Sequence, residues 1–297
     1  MPCYRPVTVW KSPDGGPVSF RELKDHREIE IPCSKCIGCR IQRQEAWAFR
    51  CYAESKMHKV NSFITLTYDD AHLPNDMSLS HREWQLFAKK LRQKCGPFRF
   101  FMCGEYGDNT KRPHYHALLF GLDFPDSVKC NSVYSSHDLY ESELLSEVWG
   151  KGFCSIGEVT YASARYVSAY TCKSVSGDSA DRYSLVDPYT GEITVRESPY
   201  GRMSLRPGLG ASWFEKYWPE VYAHGGVHVA QKKQKIPLFF DELFAKLHPE
   251  EFDDSKFSRS KEAEKFIDNN TVERLATREK CVIAKRKFNK ERYSHAL

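Results

Sequence analysis

His114 and His116 are separated by one residue within the run His114-Tyr-His-Ala-Leu-Leu-Phe-Gly121. Side chains alternate along a strand, so these two imidazoles point to one face and Tyr115 to the other. A second apolar and aromatic run, Phe98-Arg-Phe-Phe-Met-Cys-Gly-Glu-Tyr-Gly107, precedes it, and Gly107, Asp108, Asn109 and Pro113 mark a polar turn between the two. The pair reads as a β-hairpin with a long loop. Folding it about the turn sets Glu105 across from His114 or His116; one residue of uncertainty in the turn decides which. Two imidazoles and a carboxylate on one face could hold a divalent ion, Mg²⁺ or Mn²⁺, with positions left open for substrate and water. By itself the spacing also fits two surface histidines without a ligand role.

A second group of reactive side chains lies in Ala162-Ser-Ala-Arg-Tyr166-Val-Ser-Ala-Tyr170-Thr-Cys-Lys173. On a helix Tyr166, Tyr170 and Lys173 share one side, presenting two phenols and an ammonium. Core packing produces the same period. A free phenol has a pKa of about 10, so a tyrosine nucleophile needs help losing its proton. The metal and Lys173 are candidates for stabilising charge on the phenolate or on a phosphoryl group. If the two groups meet, attack on a phosphodiester would expel the neighbouring sugar hydroxyl and leave a phosphotyrosine. Rejoining is that step reversed, and it needs no nucleotide cofactor.

Cys33-Ser-Lys-Cys36-Ile-Gly-Cys39 places three thiols at C-x2-C-x2-C spacing. They can share one metal, and Cys3, between prolines at 2 and 6, would close a structural tetrahedral Zn²⁺ site. Cys51 competes for the fourth position. An iron–sulfur run would need a cysteine at 43, where the chain has Arg43.

The elements that must position these groups follow from periodicity. Arg40 to His58 reads as a helix with Arg43, Trp47, Arg50 and Glu54 on one face. That face suits DNA phosphates, or equally an Arg50–Glu54 pair beside a core tryptophan. Phe63-Ile-Thr-Leu-Thr-Tyr68 reads as a strand. Ser80-His-Arg-Glu83 is a capping box ahead of a packing stripe of Trp84, Phe87, Ala88 and Leu91. Glu141 to Trp149 predicts a short helix and Phe153 to Thr160 a strand. A hairpin is expected at Asp187-Pro-Tyr-Thr-Gly191, and a rigid linker or close backbone approach at Arg206-Pro-Gly-Leu-Gly210. Ser212-Trp-Phe-Glu215 is a second capping box, opening an aromatic helix through Trp218. Its aromatics read as core. From about Gly226 the chain turns highly charged and mostly helical. Its end carries Lys280, Lys285, Arg286, Lys287, Lys290 and Arg292, a nucleic-acid tail or a solvated helix. The expected division is a cysteine-rich segment with the first helix over 1–60, a central domain over 61–225 that carries the histidines and tyrosines, and a charged, mostly helical extension over 226–297.

A chain of 297 residues has ample length for a buried core, and a net charge of +5 permits an anionic partner without requiring one. Neither a signal peptide nor a run of transmembrane length is evident. Eleven cysteines, an odd number, point to a reducing compartment with thiols or metal thiolates. The expectation is a cytosolic protein.

These motifs together resemble a known family. His114-Tyr-His116 is similar to the histidine–hydrophobic–histidine motif of HUH endonucleases, and Phe63-Ile-Thr-Leu-Thr-Tyr68 to the strand that accompanies it in rolling-circle initiators. Tyr166-Val-Ser-Ala-Tyr170-Thr-Cys-Lys173 resembles the two-tyrosine YVxxYxxK motif of microvirus replication initiators. The cysteine-rich start and the Met203-to-Trp218 segment are most similar to the gokushovirus branch, and the resemblance covers roughly residues 1 to 220. It implies an α+β fold with a central antiparallel sheet flanked by helices, the histidines on a middle strand and the tyrosine helix beside the metal. It implies nicking of single-stranded or supercoiled circular viral origin DNA in the cytoplasm of an infected bacterium, with a 5′-phosphotyrosine and a free 3′-hydroxyl for the host polymerase. One tyrosine would hold the old end while the other cuts the regenerated origin; Tyr170, which also fits the shorter YxxK motif, would attack first. The chain has no helicase motif, so a host helicase would unwind the duplex. A relaxase, a transposase and a non-catalytic zinc-containing nucleic-acid-binding protein are the rival readings.

Overall fold

Alternation of buried and half-buried residues along Asn61-Ser-Phe-Ile-Thr-Leu-Thr67 builds the strand from which the sheet is best followed. The computed structural model describes residues 3–107, 110–130, 138–171, 183–186, 190–229 and 232–294. The chain begins with strands β1 (Val7–Lys11) and β2 (Arg27–Ile31), helix α1 (Ile37–Ser55), β3 (Asn61–Thr67) and α2 (His81–Cys95). Then come β4 (Arg99–Tyr106), β5 (Pro113–Phe120), β6 (Val128–Cys130), β7 (Leu139–Glu141), α3 (Glu143–Trp149), β8 (Cys154–Gly157) and α4 (Tyr161–Thr171). The remainder is β9 (Ser184–Val186), β10 (Ile193–Val195), β11 (Tyr200–Met203), α5 (Ala211–Ala223), β12 (Val227–Val229) and β13 (Lys232–Gln234). Helices α6 (Leu238–Leu247), α7 (Pro249–Glu264) and α8 (Val272–Ser294) end it. Among the described residues, no helix is long and apolar enough to cross a membrane.

The chain forms two compact units, Gln44–Pro249 and Met1–Arg43 with Glu250–Leu297. The larger unit holds an antiparallel sheet in the order β11-β4-β5-β3-β8-β7-β6. The expected α+β fold with a central antiparallel sheet is therefore present. One face carries Ile64, Leu66, Met102, Tyr115 and Leu119 and packs on Trp84, Phe87 and Leu91 of α2 and on Leu145, Val148 and Trp149 of α3. The predicted α2 stripe is fully used; truncating Trp84 to Ala would cost about 3–5 kcal/mol. The opposite face carries Phe101, Cys103, Leu118 and Phe120 and packs on Ala48 and Cys51 of α1 and on Ala164 and Val167 of α4.

Several local expectations change in context. Ser80 makes no side-chain cap; the Tyr115 hydroxyl accepts from the Ser80 N–H and donates to its carbonyl, both at 3.0 Å, and Glu83 pairs with Lys151 instead. Helix α5 is capped by Gly210, with Ser212 already inside it. Gly210 has φ +81° and its N–H donates to Glu54 at 2.7 Å, so the Arg206–Gly210 stretch is a close backbone approach. Glu54 also pairs with Arg99 and His58. Arg50 lies over the Trp47 and Phe239 rings and donates to the Leu209 carbonyl, and burial lowers its pKa to about 10. It is a packing residue, with no phosphate-facing guanidinium. Helix α3 is capped as its sequence suggests: Ser142 accepts from the Leu145 N–H, and left-handed Gly150 ends it. Of the α5 aromatics Phe214 is buried and stacks on Phe240, while Tyr222, half-buried, stacks on Phe244. Strands β9 and β10 pair as the hairpin expected around residue 190. The segment after Gly226 opens with the β12–β13 hairpin, which the composition did not indicate.

In the other unit β1 and β2 pair antiparallel, and Tyr4, Cys36, Cys39 and Leu275 form a small core. Arg5 pairs with a largely buried Glu279 of α8.

Candidate active site

The hairpin register settles the turn: Glu105 lies directly opposite His114, and Cys103 opposite His116. On the other side of β5, Thr67 lies opposite His114 and Thr65 opposite His116. Side chains opposite one another share a face, so Glu105, both histidines and both threonines stand on one side of the sheet. That is the side covered by α4.

Glu105 and His116 are both buried, and Glu105 Oε1 lies 3.2 Å from His116 Nε2, across the diagonal of the ladder. His116 Nδ1 lies 2.9 Å from the Thr65 hydroxyl. A carboxylate only accepts, whereas a hydroxyl both donates and accepts. Thr65 can therefore serve either tautomer: donor while Nε2–H faces Glu105, acceptor once Nε2 gives up its proton to coordinate. His114 stacks on His116 with ring centroids 6.5 Å apart, and its Nδ1 is buried without a hydrogen-bond partner. Burial first, and the neighbouring His116 second, lower the pKa of His114, keeping its ring in the neutral, ligating form.

Two imidazoles and a carboxylate are donors whose chemistry suits a divalent cation. Adjacent ligands of an octahedral ion with bonds of about 2.1 Å sit about 3.0 Å apart, close to the Glu105–His116 separation. An orphaned imidazole nitrogen next to them is a third donor. His114 would have to turn its ring to join: among the described residues, only Cys3, Cys33, Cys36 and Cys39 form a group of potential ligands with all donor atoms within 4.8 Å.

Helix α4 brings its phenols to the same place. His116 meets the Tyr166 ring edge-on at 5.2 Å and stacks on the Tyr170 ring at 5.8 Å and 20°. Tyr170 donates a hydrogen bond to the Tyr166 hydroxyl at 3.0 Å, and Tyr166 is 43% exposed. Phe63 of β3 packs against both Tyr166 and His116. Lys173 lies outside the described residues. Helix α4 is held at its other end by Glu45 of α1, which accepts from the Tyr161 hydroxyl at 2.7 Å and from Arg165 at 2.8 Å. Gln44 donates to the Arg165 carbonyl. Burial, then Glu45, push the Tyr161 phenol up, so it stays a donor. Thr65, Phe63 and Glu45 are the supporting residues that sequence reasoning missed. Only the inward alternation of β3 could have hinted at Thr65.

The four cysteines of the smaller unit could hold a metal ion such as zinc. Cys3 Sγ lies 3.6 Å from Cys33 Sγ and 3.8 Å from Cys36 Sγ. Backbone N–H groups of Cys33, Cys36, Cys39 and Tyr4 donate to the sulfurs. Burial raises the Cys36 thiol, but the N–H groups of Cys39 and Tyr4 together with the Cys39 and Cys33 thiols outweigh it and bring its pKa to about 7. Cys3 is the fourth member of this group; Cys51 lies on α1, fully buried against the sheet and α4.

A family model described as replication-associated protein ORF2/G2P matches residues 61–175, the stretch holding the histidines and both tyrosines. The replication-associated protein VP4 of Bdellovibrio phage phiMH2K is 32% identical over 277 residues, covering 88% of this chain and 84% of the relative. The chain belongs to the family of microvirus replication-associated proteins. The replication-associated protein ORF2 of Spiroplasma virus 4 is 28% identical over 295 residues, covering 90% of this chain and 88% of the relative. The replication-associated protein ORF4 of Chlamydia phage 1 is 28% identical, covering 76% of the chain and 56% of the relative. No solved structure matches it. Membership supports a role in initiating phage replication.

Proposed function

We propose that this protein nicks and rejoins single-stranded origin DNA through a tyrosine nucleophile. The observation that carries the reading is the contact of His116 with both phenols of α4, on the sheet face that also presents Glu105 and His114. Glu105, His116 and His114 would hold Mg²⁺ or Mn²⁺, which supplies positive charge to polarise the phosphodiester and orient it. The hydroxyl oxygen of Tyr166 or Tyr170 attacks phosphorus in line, forming an O–P bond as the bond to the 3′ oxygen breaks. The phenol loses its proton, and the departing 3′ oxygen gains one to become a free 3′-hydroxyl. The hydrogen bond between the phenols lets one hydroxyl stabilise the other as it ionises. Lys173 would supply positive charge to stabilise the phenolate or the phosphoryl group. The 5′-phosphotyrosine conserves the cleaved bond, so the second tyrosine can open a regenerated origin while the first closes a circle. The cysteine cluster would hold a structural Zn²⁺. The setting would be the cytoplasm of the infected bacterium, with host helicase and polymerase providing unwinding and synthesis.

Circular single-stranded phage DNA incubated with the protein and Mn²⁺ or Mg²⁺ tests the proposal. The expected product is a nicked strand bearing protein resistant to denaturant. DNA that is retarded on a gel but stays uncut and unlinked would favour the non-catalytic binding protein.

A further inference from the structure

Phe153 stands out on the sheet face that carries the histidines. The Thr67 N–H donates to the Phe153 carbonyl at 2.9 Å, and the Thr67 hydroxyl to the same oxygen at 3.1 Å, extending the β3–β8 ladder by one residue. In that ladder Leu66 lies opposite Cys154, and the Cys154 side chain is buried with the α2 and α3 core. Alternation then turns Phe153 the other way, to the face of Thr67 and His114. Glu105, His114, Thr67 and Phe153 thus form one row across four strands. Phe153 stands two strand spacings, about 10 Å, from His114.

The ring is 75% exposed, yet its backbone is tightly fixed. Gly152 has φ +146°, and a Cβ there would lie 2.4 Å from the Asp69 nitrogen, so only glycine allows the chain to pass so close to β3. A lone exposed aromatic is ordinary on any surface. Its position in the row of reacting groups, on a rigid backbone, is what calls for an occupant.

We propose that Phe153 is a stacking platform for one unpaired base of the DNA strand entering the site. The proposal rests on the nicking reading above, since the occupant follows from a strand that must pass this face to bring its phosphate to the phenols. A flat π face reads no sequence, so the platform positions the strand and leaves origin choice to other contacts. A peptide ligand would instead need a wider apolar patch or a free strand edge, and β8 is paired on both sides by β3 and β7.

Fluorescence anisotropy with a labelled oligo-dT, and photocrosslinking of the same probe carrying 5-iodouracil, test this without any cleavage. Removal of one base–aromatic stack should weaken binding by about tenfold or more in Phe153→Ala, with Phe153→Trp binding as the native protein does. The crosslinked peptide should contain residue 153, and the melting temperature of Phe153→Ala should be unchanged. Native affinity in Phe153→Ala, or a crosslink that never maps to this peptide, would overturn the platform. Binding that depends on Phe153 in a protein that never nicks would overturn the catalytic reading alone.

Discussion

Tyr170 donates its hydroxyl hydrogen to Tyr166 at 3.0 Å while its ring lies stacked on His116. The two phenols therefore act on one another before either meets a phosphate. If Tyr166 ionises, the Tyr170 hydroxyl is already placed to stabilise the phenolate. A hydrogen bond to a charged oxygen contributes about 1.5–3 kcal/mol, or roughly tenfold to a hundredfold in rate. In Tyr170→Phe, adduct formation at Tyr166 should slow by about that factor. Tyr166→Phe should still form an adduct, at Tyr170. The double variant should form none, read by denaturing gels of labelled DNA.

Thr65 tests the tautomer argument. Supporting hydrogen bonds to a ligating histidine typically change metal affinity by about 10–100-fold. In Thr65→Val the Mn²⁺ concentration for half-maximal adduct formation should rise by that factor, with the maximum rate at saturation largely kept. An unchanged metal requirement would mean that Thr65 does not set the state of His116.

The sequence made the hairpin and its histidines legible because strand alternation is a local rule. It left the partner of Glu105 open, and the structure gives a divided answer: in register with His114, hydrogen-bonded to His116. Diagonal neighbours in a ladder are close enough for a long carboxylate to choose between them. Thr65 and Glu45 were illegible because their partners come from strands and helices distant in the chain. Both capping boxes failed for the same reason, the Tyr115 hydroxyl and the Glu54 carboxylate having taken over those helix ends. The choice left open for the α1 face is decided at Arg50 by Trp47 beneath it and by Phe239, which lies far along the sequence. Glu54 pairs with Arg99 rather than with Arg50.

Metal removal addresses the cysteine cluster. Purified protein should contain one zinc per chain. Cys3→Ser and Cys33→Ser should lose it, whereas Cys51→Ser should retain it, as measured by elemental analysis. A structural zinc contributes directly to folding, so strong chelation should expose Met1–Arg43 and Glu250–Leu297 to protease first. Zinc lost from Cys51→Ser but kept in Cys3→Ser would contradict the assignment.

Glu45 ties α4 to α1 through Tyr161 and Arg165. The Arg165 pair is half exposed and contributes little, while the partly buried Tyr161 hydrogen bond to the carboxylate contributes about 1.5 kcal/mol, the low end for a charged acceptor. Glu45→Ala should therefore lower stability by about 1–2 kcal/mol in urea titration. Its adduct formation should slow further than that loss explains, because the phenols lose their bearing on His116. Single-stranded DNA affinity should be unchanged. Native turnover in Glu45→Ala would show that α4 needs no such tie.

The most direct measurement is mass spectrometry of the peptide left attached to an oligonucleotide after cleavage and proteolysis. The account predicts a phosphodiester on Tyr166 or Tyr170, within the α4 peptide and dependent on Mg²⁺ or Mn²⁺. A covalent bond to any other residue, or cleaved DNA with no attached peptide, would contradict it.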